Sequence, residues 1–138
     1  MLAATLARIG TVAALAGRVS IAVTAKDVLA QEHTGPRAWL CEPRGSTAPN
    51  ETLGGITRQN REQRFALLTL VSGDADVTDA GLLAASEALR RDCWTALIGW
   101  QPSGEYAPLE LVRDALAKAA DGQIYWVDEF KTSHQLVS

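Results

Sequence analysis

The sequence predicts one small domain of the mixed α/β (α+β) class. In it, a mixed or antiparallel β-sheet packs against one long helix and shorter N-terminal helices. A chain of 138 residues fits one domain, which usually has about 100–150 residues. Its hydrophobic fraction of 47% and charged fraction of 21% are ordinary for a chain that can bury a core. Several strand-like segments surround a single long amphipathic stretch at residues 80–98.

The N-terminal segment is predicted to form a short amphipathic helix, because Leu2, Leu6, Ile9 and Ala13 fall at helical spacing. The apolar run is similar to a signal peptide. However, Arg8 interrupts it and no positive charge precedes it, so we expect no signal peptide. No stretch approaches the ~18 uncharged apolar residues that span a membrane. We therefore expect a cytoplasmic protein that does not contact membranes.

Two short elements and a strand are predicted next. Val19–Val23 has the composition of a short strand. Thr24–Gln31 is predicted to be a short helix with Thr24 as its N-cap. Gly35-Pro36 then interrupts the chain, and Arg37–Glu42 is predicted to be a strand.

A long loop and a projecting arm are predicted at about residues 43–64. Pro43–Gly55 has no hydrophobic periodicity and is rich in glycine and proline, which predicts a loop. Ile56–Val71 is the longest predicted strand. Its first half, Thr57–Arg64, is almost wholly polar, whereas Phe65–Val71 is apolar on both faces, as in a strand covered on both sides. We therefore expect one end of this strand in the core and the other end to project.

The long helix is predicted from Ala80 to Ile98, with Asp79 as its N-cap and Gly99 directly after its end. Glu87 and Arg91 are spaced as a favourable i,i+4 ion pair on its outer face. The residues predicted to share its buried face are Leu82, Ala85, Leu89, Cys93, Ala96 and Leu97.

The C-terminal region is predicted to contain a β-hairpin. The alanines of Leu109–Ala120 favour a helix, but Asp121-Gly122 before Gln123–Thr132 is typical of a hairpin turn. We predict a strand for at least Leu109–Arg113, paired with the terminal strand. On that strand, alternation places Ile124, Trp126, Asp128 and Phe130 on one face and Tyr125, Val127, Glu129 and Lys131 on the other.

No motif for catalysis, metal binding or cofactor binding is found. Cys41 and Cys93 lack the close spacing of a metal site or disulfide framework. Two buried, reduced thiols are expected, and a single disulfide or a reactive thiol is the alternative. His33 and His134 lie in no metal or nucleophile motif, so we expect them to be exposed or to cap other groups. We therefore expect no enzyme, no cofactor and no metal.

The charged residues of the arm and of the terminal strand leave alternatives open. Asp128 and Glu129 are adjacent on a strand, so they point to opposite faces and cannot share one acid–base site. Asp128 is either a strand-end charge in solvent or a contact for an arginine of a neighbouring subunit. Arg58, Arg61 and Arg64 are either solvated or bind carboxylates of a partner. DNA contact by these arginines is a weaker option, because no aromatic residues are interleaved with them to form a base-stacking surface.

Tryptophan is frequent in this chain, with four residues. Trp39 is expected in the core. Trp94, Trp100 and Trp126 belong either to the core or to an interface, where tryptophan is enriched.

The order of segments along nearly the whole chain resembles one known family. The segments are the apolar start, the strand Ala38–Pro43, the loop Gly45–Gly55, the polar-then-apolar strand Thr57–Val71, the helix end Ala96–Trp100, Ala107-Pro108-Leu109 and the aromatic–acidic block Ile124–Phe130. In this order they resemble the tail terminator proteins of tailed bacteriophages. Glu110–Ala120 departs from the family pattern, because it is more helical in character than the strand expected there.

The resemblance implies a structural virion protein that is assembled in the host cytoplasm. Such a protein forms a ring, typically a hexamer, that caps the head-proximal end of the tail tube, stops tube polymerisation and docks the neck of the head. Its implied partners are further copies of itself, the tail tube protein and a head-completion or neck protein. Genomic DNA only passes through the lumen, and no catalysis is implied.

A ring that closes by rotation needs two different complementary surfaces on each subunit. The polar arm and the acidic end of the terminal strand are the candidates for contact with a neighbouring subunit, the tube or the neck. The candidate residues are Asn50, Glu51, Arg58, Arg61, Arg64, Asp128, Glu129 and Lys131.

Other functions remain open from the sequence. A neck or head-completion (stopper) ring is the first alternative. A small α/β ligand-binding or regulatory module is the second, and it predicts a monomer or dimer with a well-formed pocket. An enzyme with Cys93 as nucleophile is a third, opposed by the position of Cys93 on the apolar helix face.

Overall fold

The computed structural model describes residues 1–74 and 76–137, with every side chain in these ranges except that of Leu53. One six-stranded sheet carries helices on both faces, which confirms the predicted α+β class. The elements are α1 (Leu2–Ile9), a 3₁₀ turn (Ala13–Leu15), β1 (Val19–Ile21), α2 (Ala25–Leu29), β2 (Arg37–Thr47), β3 (Glu51–Leu53), β4 (Ile56–Ser72), α3 (Asp79–Leu97), β5 (Glu110–Ala120) and β6 (Gln123–Val137).

The strand order across the sheet is β1-β2-β4-β6-β5, and β3 pairs with the start of β4 beyond the end of β2. β1 and β2 are parallel, and the other described pairs are antiparallel. The central strand β4 has 17 residues, so it is about 55 Å long at ~3.3 Å per residue. Its pairing with β6 runs without a break from Arg58 to Ser72.

The two faces of the sheet bury two separate cores. On the helix face, α1 and α3 cover side chains that include those of Phe65, Leu67 and Phe130. On the opposite face, which we call the open face, α2 covers only the end of the sheet that holds Leu68 and Tyr125. The second half of β4 is therefore buried on both faces, as its continuous apolar run predicts. Trp39 lies in the open-face core, and Trp94, Trp100 and Trp126 are half-buried against the helix-face core.

The long helix α3 lies within one residue of its predicted bounds. The predicted N-cap is wrong: Thr78 caps α3, and its hydroxyl accepts a hydrogen bond from the backbone N–H of Gly81 at 3.1 Å. Gly99 follows the helix with φ of +81°, as expected of a residue at that position. Glu87 and Arg91 form the predicted ion pair at 2.9 Å. The buried face consists of Leu82, Ser86, Leu89, Arg90, Cys93 and Leu97, so two polar residues lie in the stripe, whereas the predicted Ala85 is exposed and Ala96 half-buried.

The short N-terminal elements confirm the local signals in the sequence. α1 buries Thr5 and Ile9. The side chain of Thr24 caps α2 by accepting a hydrogen bond from the N–H of Asp27 at 3.2 Å. The strand β1 ends at Ile21, two residues earlier than predicted.

The predicted loop at Pro43–Gly55 is wrong, because most of it forms strands. β2 continues to Thr47 after an irregularity at Glu42–Pro43, where Glu42 has a φ of +53°. β3 then pairs with β4 through the two-residue turn Gly54–Gly55. Hydrophobic alternation is missing from the sequence here because side chains on both faces of these strands are largely exposed.

The C-terminal hairpin is confirmed and is longer than predicted. β5 is a strand over its whole length despite its alanines, because it pairs with β6 from Glu110 to Ala120. Asp121 and Gly122 form the turn, with φ of +53° and +72°. β6 continues five residues beyond Thr132, to Val137, beside the polar half of β4.

Candidate functional site

The arm is the end of the sheet formed by residues 44–64 and 131–137. The polar half of β4 lies between β2 and β3 on one side and β6 on the other. Arg61, for example, is paired with Thr47 and with His134. The arm lies beyond the core that α3 covers, and its tip exposes apolar side chains: Ile56 is 46% exposed and Val137 is 63% exposed. It is a three-stranded projection and not a loop.

The three candidate arginines of the arm, Arg58, Arg61 and Arg64, do not form one patch. The strand alternation that sends Phe65 to the helix face also sends Arg61 there, where its guanidinium lies against Gly45. Arg58 and Arg64 point to the open face. Arg64 is further from the tip and is engaged with carboxylates of its own chain.

A carboxylate–arginine cluster occupies the open face at the base of the arm, with Glu129 at its centre. Glu129 is 4% exposed. Arg44 donates a hydrogen bond to it. The Nε of Arg113 lies 2.5 Å from its Oε2, and the Nη1 of Arg64 lies 3.5 Å from its Oε1. Arg64 also donates to Glu62 at 2.6 Å. The cluster ties β2, β4 and β5 to β6 through one buried carboxylate.

The electrostatics of this cluster favour ionised Glu129. Burial raises its pKa, but the hydrogen bonds and charges of Arg44 and Arg113 outweigh burial, so the pKa is lowered from its ordinary value. The guanidiniums of Arg44 and Arg113 are 54% and 72% exposed. The cluster therefore consists of a buried carboxylate surrounded by solvent-exposed guanidiniums.

Asp128 forms a second cluster on the helix face. It is fully buried and faces Arg90 of α3, whose Nε lies 3.3 Å from its Oδ1. The guanidinium of Arg90 also lies 3.0 Å from an oxygen of Asp114. Its Cζ is 4.9 Å from the ring centroid of Trp94 and 4.3 Å from that of Trp126. Burial raises the pKa of Asp128, against the opposing hydrogen bonds and charge of Arg90.

These contacts correct two expectations about the acidic end of β6. Asp128 is neither a strand-end charge in solvent nor free for an arginine of a neighbouring subunit, because it is buried against Arg90. Arg64 and Glu129 were candidates for opposite sides of an interface, yet they meet within one chain. The pairing of β6 across β4 and β5 brings these distant residues together.

The remaining candidates lie on the arm. Asn50 and Glu51 are exposed next to the turn at its tip, and Glu51 is paired in register with Arg58. Lys131 is half-buried and lies 3.5 Å from a carboxylate oxygen of Glu110. Asn50, Glu51 and Arg58 are thus the exposed candidates near the tip.

Three arginines of these clusters were not predicted as site residues from the sequence: Arg44, Arg90 and Arg113. Arg44 lies in the predicted loop, and Arg113 lies in the segment whose conformation was ambiguous. Arg90 is adjacent to Leu89 on the apolar face of α3. A cation at that position was a usable signal, because a buried arginine needs a carboxylate partner.

The two cysteines and His33 are at least partly buried in the structure. Cys41 and Cys93 are buried and unbridged, and burial raises the pKa of each thiol to about 12. His33 is half-buried and packs against Trp39 with ring centroids 4.8 Å apart, and its Nε2 has no hydrogen-bond partner among the described residues. In the part of the chain that the structure describes, no three acidic, cysteine or histidine residues lie close enough to hold a metal ion. The described residues also contain no helix long and apolar enough to cross a membrane.

Comparison with known proteins identifies the family. No curated protein matches the chain. The model of one family, described as phage tail terminator protein, matches residues 2–138. This is a family of structural proteins of the phage tail, which are associated with the virion and interact with other tail proteins. The match covers nearly all of the sheet, the helices and the arm, and the chain therefore belongs to the phage tail terminator protein family.

Proposed function

We propose that this protein forms a ring that caps the head-proximal end of the tail tube, stops tube polymerisation and gives the neck of the head its docking surface. The observation that carries the proposal is the family match over residues 2–138. The ring, its hexameric stoichiometry and its position in the virion go beyond that match. They are supported by the arm, which has the features of an assembly surface.

The arm supports an assembly role because it exposes apolar side chains on a rigid, paired element. Ile56, Leu136 and Val137 are 46%, 41% and 63% exposed. Soluble monomers rarely leave apolar side chains grouped on a projecting sheet end, because such an end invites pairing with other chains. A partner that covers this tip removes the exposure.

The clusters at the base of the arm support its rigidity. Glu129 binds arginines from three other strands, so the arm leaves the sheet at a defined angle. A rigid element loses little conformational entropy when it docks. We assign Arg64, Glu129 and Lys131 to this internal support, and Asn50, Glu51, Arg58 and Arg61 to contacts with neighbouring subunits, the tube protein or the head-completion protein.

The proposal includes no catalysis and no cofactor. The buried carboxylates are held in ion pairs with arginines, which keeps them from acting as free acids or bases. The thiols of Cys41 and Cys93 remain protonated at neutral pH, because their pKa is raised to about 12.

The proposal is tested with purified protein and purified tail tube protein. We expect the protein to bind tube ends, to give rings in negative-stain images and to shorten the tubes as its ratio to tube protein rises. An equal amount of heat-denatured protein should give no such effect. Tubes that grow to the same length with and without the protein, and that carry no ring at either end, would overturn the proposal.

A further inference from the structure

A groove lies at the end of the sheet opposite the arm, between the start of α3 and the β5–β6 hairpin. Its volume is about 340 Å³, and Leu82, Leu83, Leu116 and Ala119 line it. Leu83 and Leu116 are 47% and 48% exposed. This is an apolar surface that the described part of the chain leaves open.

The rim of the groove is acidic. Asp79, in the first turn of α3, and Asp121, in the hairpin turn, both line it. Both are exposed, and neither forms an ion pair with a side chain in the described ranges. An occupant of this groove therefore needs apolar side chains together with a cation.

The arm tip has that combination. Ile56 and Arg58 lie two residues apart on β4 and so point to the same face, and Val137 is paired in register with Arg58. All three are exposed. The tip presents two apolar side chains with a guanidinium between them.

A subunit cannot place its own arm in its own groove. Ile124, which lines the groove, pairs with Val71 of β4, while the arm tip pairs at Arg58. These two positions are 13 residue steps apart on one strand, which span about 43 Å. An arm that docks in this groove must therefore belong to another copy.

We propose that the arm tip of one subunit docks in the α3–hairpin groove of the next, with Ile56 and Val137 on the leucines and Arg58 at Asp79 and Asp121. This inference rests on the proposed ring and names the two surfaces that close it. The contact is head-to-tail and uses two different patches, as a cyclic ring requires. Complementary charge at the rim sets the register, and the apolar side chains contribute the buried area.

The acidic partners of the arm are thus not the residues that the sequence suggested. Asp128 and Glu129 are both buried against arginines of their own chain. Asp79 and Asp121 are exposed carboxylates at the far end of the same sheet. The arm is still the arginine-bearing side of the proposed contact, but its acidic partners are now Asp79 and Asp121.

The test is a charge swap between the two surfaces, read by native mass spectrometry and sedimentation. Arg58→Glu and Asp79→Arg each place like charges at every contact, and we expect each variant alone to associate about 10-fold more weakly or worse. Asp79 is preferred to Asp121 for reversal, because Asp121 has a φ of +53° that larger side chains rarely adopt. Lys26→Glu and Asp92→Arg reverse exposed charges outside both surfaces, and they should leave the ring intact.

Mixing the two variants gives the decisive measurement. In an equimolar mixture, the arm that carries Arg58→Glu meets the groove that carries Asp79→Arg, so a new carboxylate faces a new guanidinium. In a ring in which the two variants alternate, every second contact instead joins the unchanged Arg58 of the Asp79→Arg subunit to the unchanged Asp79 of the Arg58→Glu subunit. We therefore expect rings to return with the two variants in equal numbers, and the double variant Arg58→Glu/Asp79→Arg to form rings alone. If Asp79→Arg does not fold, Asp121→Asn replaces it as the groove variant. It should weaken the ring, and ring strength alone is then the readout, because this variant offers no new cation to the carboxylate of Arg58→Glu.

The outcomes separate this inference from the proposed function. If the wild type forms rings and the single variants assemble equally well, the arm–groove contact is overturned. It is also overturned if the single variants are weakened but mixing them restores no rings. In both cases the proposed ring itself still stands. A wild-type protein that is monomeric both in solution and on tail tubes overturns the ring itself. Thermal unfolding of each variant, measured at one protein concentration, confirms that lost assembly is not lost folding.

Discussion

Replacing Arg90 with methionine removes the cation that faces buried Asp128. Methionine keeps an unbranched stem between the rings of Trp94 and Trp126, so the change is chiefly electrostatic. Breaking one side of a buried pair costs about 3–5 kcal/mol, because the remaining charge is left without compensation. Asp128 has no exposed surface to relieve that cost with water.

The cost converts into a measurable change of Tm. With an unfolding entropy of about 2.1 cal/mol/K per residue and 138 residues, Arg90→Met should lower Tm by about 10–17 °C. The matched control is Arg91→Met on the adjacent residue. Its ion pair with Glu87 is largely exposed and should contribute less than about 0.5 kcal/mol.

The same variant should show a stronger pH dependence of stability than the wild type. Without Arg90, burial raises the pKa of Asp128 further above its unfolded value of about 3.9. The native state then binds the proton more tightly than the unfolded state, so stability falls as pH rises from the unfolded pKa through the native pKa. The deficit of Arg90→Met relative to wild type is therefore larger at pH 7 than at pH 4.

The assay is urea unfolding followed by circular dichroism at both pH values, with one protein concentration throughout because assembly adds stability. Equal costs for Arg90→Met and Arg91→Met, or a deficit that does not change with pH, would refute the assignment of Asp128 and Arg90 as an energetically important buried pair.

Three further predictions concern the open-face cluster, the thiols and a close backbone approach. Glu129→Gln should destabilise by about 1–3 kcal/mol at neutral pH. Because the native pKa of Glu129 is lowered, the loss should shrink as pH falls below about 4.3 in urea unfolding. Cys41 and Cys93 should react with a thiol reagent only after unfolding. If the folded protein is labelled as fast as an exposed thiol, their burial is contradicted. Gly35→Ala should lower Tm because its Cβ would lie 2.7 Å from a β4 carbonyl oxygen, whereas Gly45→Ala meets only a flexible arginine end and should cost less.

Local patterns in the sequence are sufficient for much of the fold. The continuous apolar run Phe65–Val71 predicts a strand buried on both faces, and it is. Asp121-Gly122 predicts the hairpin turn. Alternation on β6 places Ile124 and Phe130 in one core and Tyr125 in the other, as observed. These features depend on periodicity and turn chemistry over a few residues, which a sequence displays directly.

The arm was harder to predict, because its strands have no buried face to impose a pattern. Residues 43–55 lack hydrophobic alternation, and only their hydrogen bonds with β4 make them strands. Similarly, the alanines of β5 favour helix locally, and pairing with β6 overrides that preference.

By itself, the sequence determined that β6 carries its two carboxylates on opposite faces and that an arginine-bearing strand end projects from the core. Only the tertiary structure decided which charges meet. Asp128 pairs with Arg90, 38 positions away, and Glu129 with Arg44, 85 positions away. Periodicity reports the face on which a side chain lies. The partner across that face is set by strand order and helix packing, which bring together residues from distant parts of the chain.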